Sequence, residues 1–303
     1  MLEIIKAIIY GIVEGITEWL PISSTGHLIL VERLIPFQET SEGFFDMFDV
    51  VIQLGAILAV VVLFWNKIWP FYMKKNQQTK KGGIVRSKKD FTVGNVALSM
   101  DAFWMWVKIV VACIPAVVYG LLFDDAVSEA FKKEIGTSGV TVQVIVVAVM
   151  LVLVGVLFIV IENWNKNRVP TTTILSQLTY RDALIIGFCQ LVAAALPGTS
   201  RSGATILGAI MIGISRTVAA EFTFFLAIPV MFGASLLKVL KFGFAFTGTE
   251  LACLLVGTVI SFIVSLFVLR FLMGYIKKHD FKVFGWYRIV LGIIVLLYFL
   301  VFA

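Results

Sequence analysis

Charged residues are scarce in this chain of 303 residues, which also has only three cysteines and two histidines. Charged side chains make up 15% of the residues and apolar ones 60%, whereas a soluble domain is nearer a quarter charged and half apolar. This balance excludes an ordinary soluble globular protein. Because apolar runs recur from end to end, we predict a single α-helical membrane domain over residues 1–303.

The cysteines and the positive charge argue against a disulfide framework, a metal cluster and nucleic-acid binding. Cys113, Cys189 and Cys253 each lie inside an apolar run, and their odd number and wide spacing argue against a disulfide framework and a metal cluster. The net charge of +6 gathers in polar loops. We interpret it as a determinant of membrane topology and a contact for lipid headgroups, and we expect no nucleic-acid partner.

One stretch that interrupts the apolar pattern is rich in polar groups. Residues 14–27, EGITEWLPISSTGH, carry two carboxylates, an imidazole and several hydroxyls between two apolar runs. Pro21 ends a first helix, and Ser23 or Ser24 can cap a second. Each half is about 13 to 17 residues long, whereas a full span needs about 20. We therefore predict a re-entrant helical hairpin over residues 1–35.

The same design returns later in the chain. Residues 181–214 contain a short apolar half, the break PGTSRSGAT and a second short half, which predicts a second re-entrant hairpin. Pro21 matches Pro197, and Ser24 matches Ser200, at the same offset of 176 positions. Non-helical backbone at membrane depth is tolerated only where protein or a wet cavity surrounds it, so both breaks should face the interior.

Three full spans follow each hairpin, which indicates an internal duplication. The first repeat covers residues 1–161 and includes a basic cytoplasmic loop, 66–101, which could be partly helical; the second repeat covers residues 181–303. The expected fold is an all-α polytopic membrane protein with six transmembrane helices and two re-entrant helix hairpins in an inverted repeat. The six predicted spans are at about 44–65, 102–123, 140–161, 218–240, 251–273 and 284–302.

Lysine and arginine are distributed unevenly between alternate loops. The richer set, residues 66–101, 162–181 and 270–288, holds sixteen of them, and the alternate segments hold six. Cytoplasmic loops carry the excess of positive charge, so both termini should lie outside. The first hairpin then enters from outside and the second from inside. In transporters, such an inverted repeat places the binding site at the repeat interface near the bilayer midplane.

The first break offers acids and an imidazole. Glu14 and Glu18 are one helical turn apart, which suits a divalent cation such as Mg²⁺ or Ca²⁺, or an acid/base pair. A purely structural pair is the alternative. His27 lies one turn beyond the two serines, where it could act as a general acid or base, or be an ordinary hydrogen-bonded core histidine.

The second break offers a site for anions. Arg201 lies in GTSRSG, residues 198–203, where a helix start supplies backbone N–H groups and the planar guanidinium suits phosphate oxygens. The alternative is a salt bridge between Arg201 and a carboxylate of the first hairpin. Ionisable groups at membrane depth are costly and usually functional, which favours the phosphate-binding interpretation.

These motifs resemble a known family. EGITEWLPISSTGH, FDVVIQLGAILAVVVLFW and LPGTSRSGATILGA are similar to motifs of the undecaprenyl-diphosphate phosphatases of the bacitracin-resistance type, and the resemblance covers nearly the whole chain. It implies a hydrolase of the bacterial plasma membrane that converts undecaprenyl diphosphate to the monophosphate, recycles the lipid carrier of peptidoglycan synthesis and confers bacitracin resistance. The substrate would be a polyprenyl diphosphate lipid, the site is expected to open to the outer face, and a homodimer is one expected assembly.

The residues and the resemblance together predict a division of roles. Glu18 would orient His27, and Ser24 or a water near His27 would attack the terminal phosphorus. The other class of function that we consider is a transporter that flips a lipid phosphate without hydrolysis. The predicted catalytic residues are Glu18, Ser24, His27 and Arg201; the metal ligands are Glu14 and Glu18; the substrate-binding residues are Ser23, Thr25, Gly198, Thr199, Ser200, Arg201 and Ser202.

A cysteine introduced at Thr79 tests the predicted orientation, because this position lies in the most basic loop. In a chain whose native cysteines are replaced by serine, Thr79→Cys should react with a membrane-impermeant maleimide only after the cells are opened. Labelling of intact cells would place the loop outside and reverse the topology.

Overall fold

The computed structural model describes residues 1–73, 90–93, 95–123, 134–135 and 140–302. Ten α-helices dominate these ranges, which confirms the predicted all-α class. They are α1 (Leu2–Thr17), α2 (Ser24–Leu34), α3 (Phe44–Ile68), α4 (Met100–Leu122), α5 (Val142–Asn165), α6 (Tyr180–Ala195), α7 (Arg201–Met211), α8 (Arg216–Phe242), α9 (Gly248–Tyr275) and α10 (Lys282–Phe302).

Six of these helices, α3, α4, α5, α8, α9 and α10, are long and apolar enough to cross a membrane. Each begins and ends within about four residues of a predicted span. Their outer faces expose many large apolar side chains, such as Leu58 and Phe267. Contiguous exposed apolar surface of this kind suits contact with lipid.

The two pairs of short helices, α1–α2 and α6–α7, form the predicted hairpins. In each pair the first helix has 16 residues and the second 11, too few for either to span a bilayer. The chain turns between them at a serine with positive φ, 76° at Ser23 and 69° at Ser200, which is uncommon for a residue with a side chain. Each serine hydroxyl accepts a hydrogen bond from the backbone N–H three residues on, so the strained residue also caps the next helix.

These caps correct the predicted alignment of the hairpins by one residue. Ser200 corresponds to Ser23 and not to Ser24, because the second break has one more residue between its proline and its cap. The offset of 176 therefore applies before the break, and the two helices that follow it are offset by 177. As a result, Ser24 and Arg201 are equivalent: each is the first residue of its helix.

Contacts between helices repeat in the two halves, α1–α5 and α6–α10. Helix α1 lies against α9, the fourth helix of the other half, and α6 lies against α4 in the same way. Helix α3 contacts α8, and α5 contacts α10, so equivalent helices also meet. The halves are interleaved, as expected of an internal duplication. Their opposite orientation relative to the membrane stays a prediction.

The described residues outside the helices include two small antiparallel sheets. The first contains β1 (Phe71–Met73), β2 (Phe91–Val93) and β3 (Val96–Leu98) in the order β1–β3–β2, and the second pairs β4 (Glu134–Ile135) with β5 (Val140–Thr141). The described residues of loop 66–101 between α3 and α4 form strands and no helix. Residues 74–89, which include position 79 of the labelling test, lie outside the described residues, so a partly helical loop stays a prediction.

Gly55 allows α3 and α9 to approach closely, and its replacement tests this contact. A Cβ at Gly55 would lie 2.1 Å from the carbonyl oxygen of Thr258, so Gly55→Ala should destabilise the protein by about 1–3 kcal/mol through overpacking. Gly233 in α8 is the matched control, because no described atom lies within 4 Å of the position that a Cβ would take there. We expect the melting temperature of the purified protein to fall for Gly55→Ala and to stay level or rise for Gly233→Ala. Equal melting temperatures would contradict the close contact.

Candidate active site

The two breaks meet at the carboxylate of Glu18, which is the C-cap residue that follows α1. Arg201 Nη2 donates a hydrogen bond to Oε1 at 2.7 Å, and Ser24 Oγ donates to Oε2 at 3.0 Å. Ser202 Oγ donates to the backbone carbonyl of Glu18 at 3.1 Å. Glu18 is only 7% exposed, so these bonds are made away from solvent. The structure thus brings four of the predicted site residues together from both hairpins.

Ser24 and Arg201 reach Glu18 from equivalent positions. Each is the first residue of its helix and follows the capping serine. The first-turn amides of a helix lack partners within the helix and carry the positive end of its dipole. Helices α2 and α7 therefore both begin beside the same carboxylate, and an anionic group bound there would meet two helix N-termini.

Arg201 is held firmly in this position. Its Nη1 donates to the carbonyl oxygen of Thr223 at 3.2 Å. The backbone carbonyl oxygen of Arg201 accepts a hydrogen bond from Thr205 Oγ1 at 2.8 Å. The ion pair with Glu18 is the arrangement that we considered as the alternative to phosphate binding, and the structure shows it. A guanidinium has five N–H donors, so these bonds leave donors for a ligand.

The predicted substrate-binding serines also serve the fold. The hydroxyls of Ser23 and Ser200 cap α2 and α7, and Ser200 Oγ lies 3.2 Å from Ser202 Oγ. Thr25, the second residue of α2, is half-buried. Two of these four hydroxyls are thus committed to helix capping, and Ser202 is committed to the Glu18 carbonyl.

Arg288 joins the two breaks, and no sequence motif pointed to it. Its guanidinium is completely buried and donates to the carbonyl oxygens of Pro21 at 3.2 Å, Gly198 at 2.8 Å and Thr199 at 3.0 Å. It lies inside α10, as the predicted span 284–302 implies, although the basic segment 270–288, which is predicted as a loop, also includes it. Among the described residues no carboxylate pairs with it. The signal that could have revealed it was a lone arginine within an apolar run.

Gly198 and Thr199 shape the second break. Gly198 has a φ of 87°, and a Cβ there would lie 2.6 Å from the backbone of Val147 in α5, so only glycine fits. Thr199 is 2% exposed, and its hydroxyl has no partner among the described residues. Burying an unsatisfied hydroxyl is costly, which makes Thr199 Oγ1 a candidate contact for a ligand.

His27 does not contact Glu18, so the predicted orientation of His27 by Glu18 is wrong. Nδ1 lies 2.7 Å from the carbonyl oxygen of Ser23, and Nε2 lies 2.7 Å from the hydroxyl of Tyr287, whose ring is stacked on the imidazole. A carbonyl only accepts, so Nδ1 carries the hydrogen, and in the neutral ring Nε2 accepts from Tyr287. Tyr287, which comes from α10, could not be anticipated, because no motif around it indicates a site.

Glu14 is the other buried acid of the first hairpin. It is 0% exposed, and neither carboxylate oxygen has a hydrogen-bond partner among the described residues. Such a group needs a proton or a cation. The described residues contain no group of three or more candidate metal ligands. Mg²⁺ is usually held by one or two carboxylates together with substrate phosphates, so Glu14 fits a metal that binds with its substrate, whereas Glu18 is already occupied by Arg201 and Ser24.

Comparison with known families agrees with the resemblance in the motifs. A family model described as bacitracin resistance protein BacA matches residues 7–294. The chain belongs to the BacA family. Because BacA proteins are membrane proteins and six helices here can span a bilayer, this is a multi-pass membrane protein.

Relatives within the BacA family are similar over their full length. The undecaprenyl-diphosphatase of Desulfitobacterium hafniense is 57% identical, over 99% of this chain and 97% of the relative. Those of Enterococcus faecalis and Acetivibrio thermocellus are each 55% identical, over 98% and 99% of this chain and 97% and 99% of the relatives.

Substitution of Arg201 tests whether the second hairpin of this BacA protein binds phosphate. Lysine keeps the charge but loses the planar fork, so Arg201→Lys should lose much of the phosphatase activity and Arg201→Ala about 10²- to 10³-fold. The exposed Arg33 provides the control, and Arg33→Ala should retain activity.

A purely structural ion pair would give a different result. In that case the loss of activity in Arg201→Ala would follow the loss of folded protein, and the activity of each folded molecule would stay near that of the wild type. Well-folded Arg201→Ala protein with near wild-type phosphate release would rule out phosphate binding by this residue.

Proposed function

We propose that this BacA-family protein hydrolyses undecaprenyl diphosphate to undecaprenyl phosphate and inorganic phosphate. The observation that carries the proposal is the convergence of Ser24 and Arg201 on Glu18, which places a hydroxyl, a cation and a carboxylate at one point. The names of relatives at 55–57% identity support it. The product would return to peptidoglycan synthesis as lipid carrier, and this recycling would confer bacitracin resistance.

The geometry favours Ser24 over water as the nucleophile. Its hydroxyl already donates to Glu18 Oε2, so Glu18 can take the proton as Oγ bonds to the terminal phosphorus. The bridging P–O bond then breaks, and undecaprenyl phosphate leaves. A water molecule next hydrolyses the phosphoserine, which releases inorganic phosphate and restores the Ser24 hydroxyl. The departing undecaprenyl phosphate takes the proton from Glu18, which can then take the proton of that water and return it to the serine oxygen.

Charge stabilisation would come from both hairpins. Arg201 and the first amides of α2 and α7 would bind the phosphate oxygens, because phosphoryl transfer depends mainly on positioning and on neutralising charge. Thr199 Oγ1 would add a further hydrogen bond.

We further propose that Glu14 holds a divalent cation, Mg²⁺ or Ca²⁺, together with the substrate. When bound, this ion would neutralise charge on the diphosphate oxygens. The buried carboxylate of Glu14, which lacks a hydrogen-bond partner among the described residues, supports this assignment. Glu18 is better suited to the proton transfer than to the ion, because both of its oxygens are already bonded.

The polyprenyl chain would stay in the bilayer while the diphosphate enters the site. Tyr287, stacked on His27, is 46% exposed on the surface of α10. We infer that the polyprenyl chain would leave the site laterally at this pair, beside α2. His27 would then act near the lipid phosphate and not on Ser24. We place the protein in the bacterial plasma membrane with the site open to the outer face. A homodimer stays a prediction.

A transporter that flips a lipid phosphate without hydrolysis is the second candidate. The repeated, interleaved halves with paired broken helices favour it, because transporters use this architecture. The hydrogen bond from Ser24 to Glu18 favours hydrolysis, because binding alone does not need an activated hydroxyl.

Phosphate release by the purified protein tests both proposals. With undecaprenyl diphosphate in detergent micelles we expect inorganic phosphate and undecaprenyl phosphate in equal amounts. Excess chelator should abolish turnover, and added Mg²⁺ or Ca²⁺ should restore it. Glu14→Gln should need a higher metal concentration for half-maximal activity, whereas Glu42→Gln, at an exposed acid, should not.

Two outcomes would contradict these proposals separately. Full activity in excess chelator would contradict the proposed metal site at Glu14 but would not affect the proposed hydrolysis. Absence of phosphate release, together with transfer of labelled lipid between the leaflets of proteoliposomes, would contradict the proposed hydrolysis and support the transporter function.

A further inference from the structure

A cavity of about 410 Å³ lies away from the site, between the end of α5 and the turn that joins α7 to α8. The loop after α5 lines one side and the α7–α8 turn lines the other. Neither the proposed chemistry nor the sequence motifs give this cavity a role. The side chains that matter for its binding properties are Lys166, Arg168, Val169, Thr171, Met211 and Arg216.

Hydrogen bonds between the two segments give the cavity a defined wall. The backbone N–H of Thr171 donates to the Gly213 carbonyl at 2.9 Å, and the N–H of Ser215 donates to the Thr172 carbonyl at 2.9 Å. Thr172 and Ile214 form a parallel bridge between these bonds. The loop is therefore fastened to the start of α8, and the cavity is part of the fold.

Positive charge dominates the lining. Arg216 forms an ion pair with the buried Glu162, but Lys166 and Arg168 have no carboxylate partner among the described residues, and none of the described lining residues is an acid. A second cavity, of about 470 Å³ near the start of α3, differs in that its lysines, Lys238 and Lys241, are accompanied by the acids Glu42 and Asp46. The first cavity is thus the one suited to an anion.

The position of the cavity indicates the depth of lipid headgroups. Trp164, in the last turn of a spanning helix, is 50% exposed, and the guanidinium of Arg168 lies 3.5 Å from its ring centroid. Tryptophan is enriched at the membrane–water interface. Val169, 88% exposed, and Met211, 49% exposed, form an apolar rim beside the cationic groups.

We propose that this cavity binds the headgroup of an anionic glycerophospholipid. Lys166 and Arg168 would bind its phosphate, and Val169 and Met211 would contact the start of its acyl chains. The cytoplasmic leaflet is rich in anionic lipid, and the loop that carries these cations belongs to the set predicted to be cytoplasmic. A soluble anion could use the cations, but it would leave the apolar rim exposed to water.

A bound headgroup would also support the candidate active site from a distance. Helix α7 begins at Arg201 and ends at Met211 on the cavity rim, and α8 begins at the cavity and carries Thr223, which binds Arg201. The headgroup would therefore hold together the two helices that position the guanidinium. The binding itself does not depend on the proposed catalytic activity.

Native mass spectrometry of delipidated protein, titrated with phosphatidylglycerol or phosphatidylcholine, tests this proposal. We expect one phosphatidylglycerol to bind the wild type in preference to phosphatidylcholine. The double variant Lys166→Ala/Arg168→Ala should bind it roughly thirtyfold more weakly, because each cation near a membrane surface contributes about a factor of five. The double variant Lys277→Ala/Lys278→Ala, which removes two exposed cations from another loop of the basic set, should bind like the wild type.

A second variant and a soluble probe make the test decisive. Val169→Asp places a negative charge on the rim without removing a cation, and it should also weaken phosphatidylglycerol binding. Equal binding by both double variants would show that the lipid is attracted by overall charge, which would overturn the proposal. Inorganic phosphate that competes with the lipid at millimolar concentration would instead assign the cavity to a soluble anion, and this result would also overturn it.

Discussion

The ion pair between Glu18 and Arg201 is the interaction on which the arrangement of the two halves depends. A carboxylate and a guanidinium, 183 residues apart in sequence, are both removed from water and compensate each other at 2.7 Å. Removing one partner of such a pair leaves an uncompensated buried charge, which typically costs about 3–5 kcal/mol. The pair therefore specifies how the hairpins meet as well as what they can bind.

The broken helices create a second demand, because their backbone groups must find partners at membrane depth. The protein meets it with polar side chains placed at the breaks. Ser23 and Ser200 satisfy N–H groups of the following helices, and Arg288 satisfies carbonyls of both breaks. The same device that makes the irregular backbone stable thus also lines the site with hydrogen-bond donors.

Much of this architecture could be predicted from sequence, because apolar length defines the spans and proline with serine defines the breaks. Contacts between side chains could not. Which residues meet depends on the rotation of each helix about its axis. That rotation brings His27 to Tyr287 of α10 instead of to Glu18. The second break is also one residue longer than the first, so Ser200 is equivalent to Ser23 and not, as the sequence alignment predicted, to Ser24. Arg288 lay within the predicted span 284–302, but no motif marks it as a partner of the two breaks.

Helix α10 is translated after the other nine described helices, yet it supplies the donors that complete both breaks. Until it inserts, the carbonyls of Pro21 and Gly198 lack Arg288, and His27 lacks Tyr287. A nascent chain that has reached only α9 already carries Glu18 and Arg201, but it lacks the frame that fixes them. The polar contacts of both breaks are thus completed only by the last helix, and a chain that ends at α9 leaves irregular backbone at membrane depth without these partners.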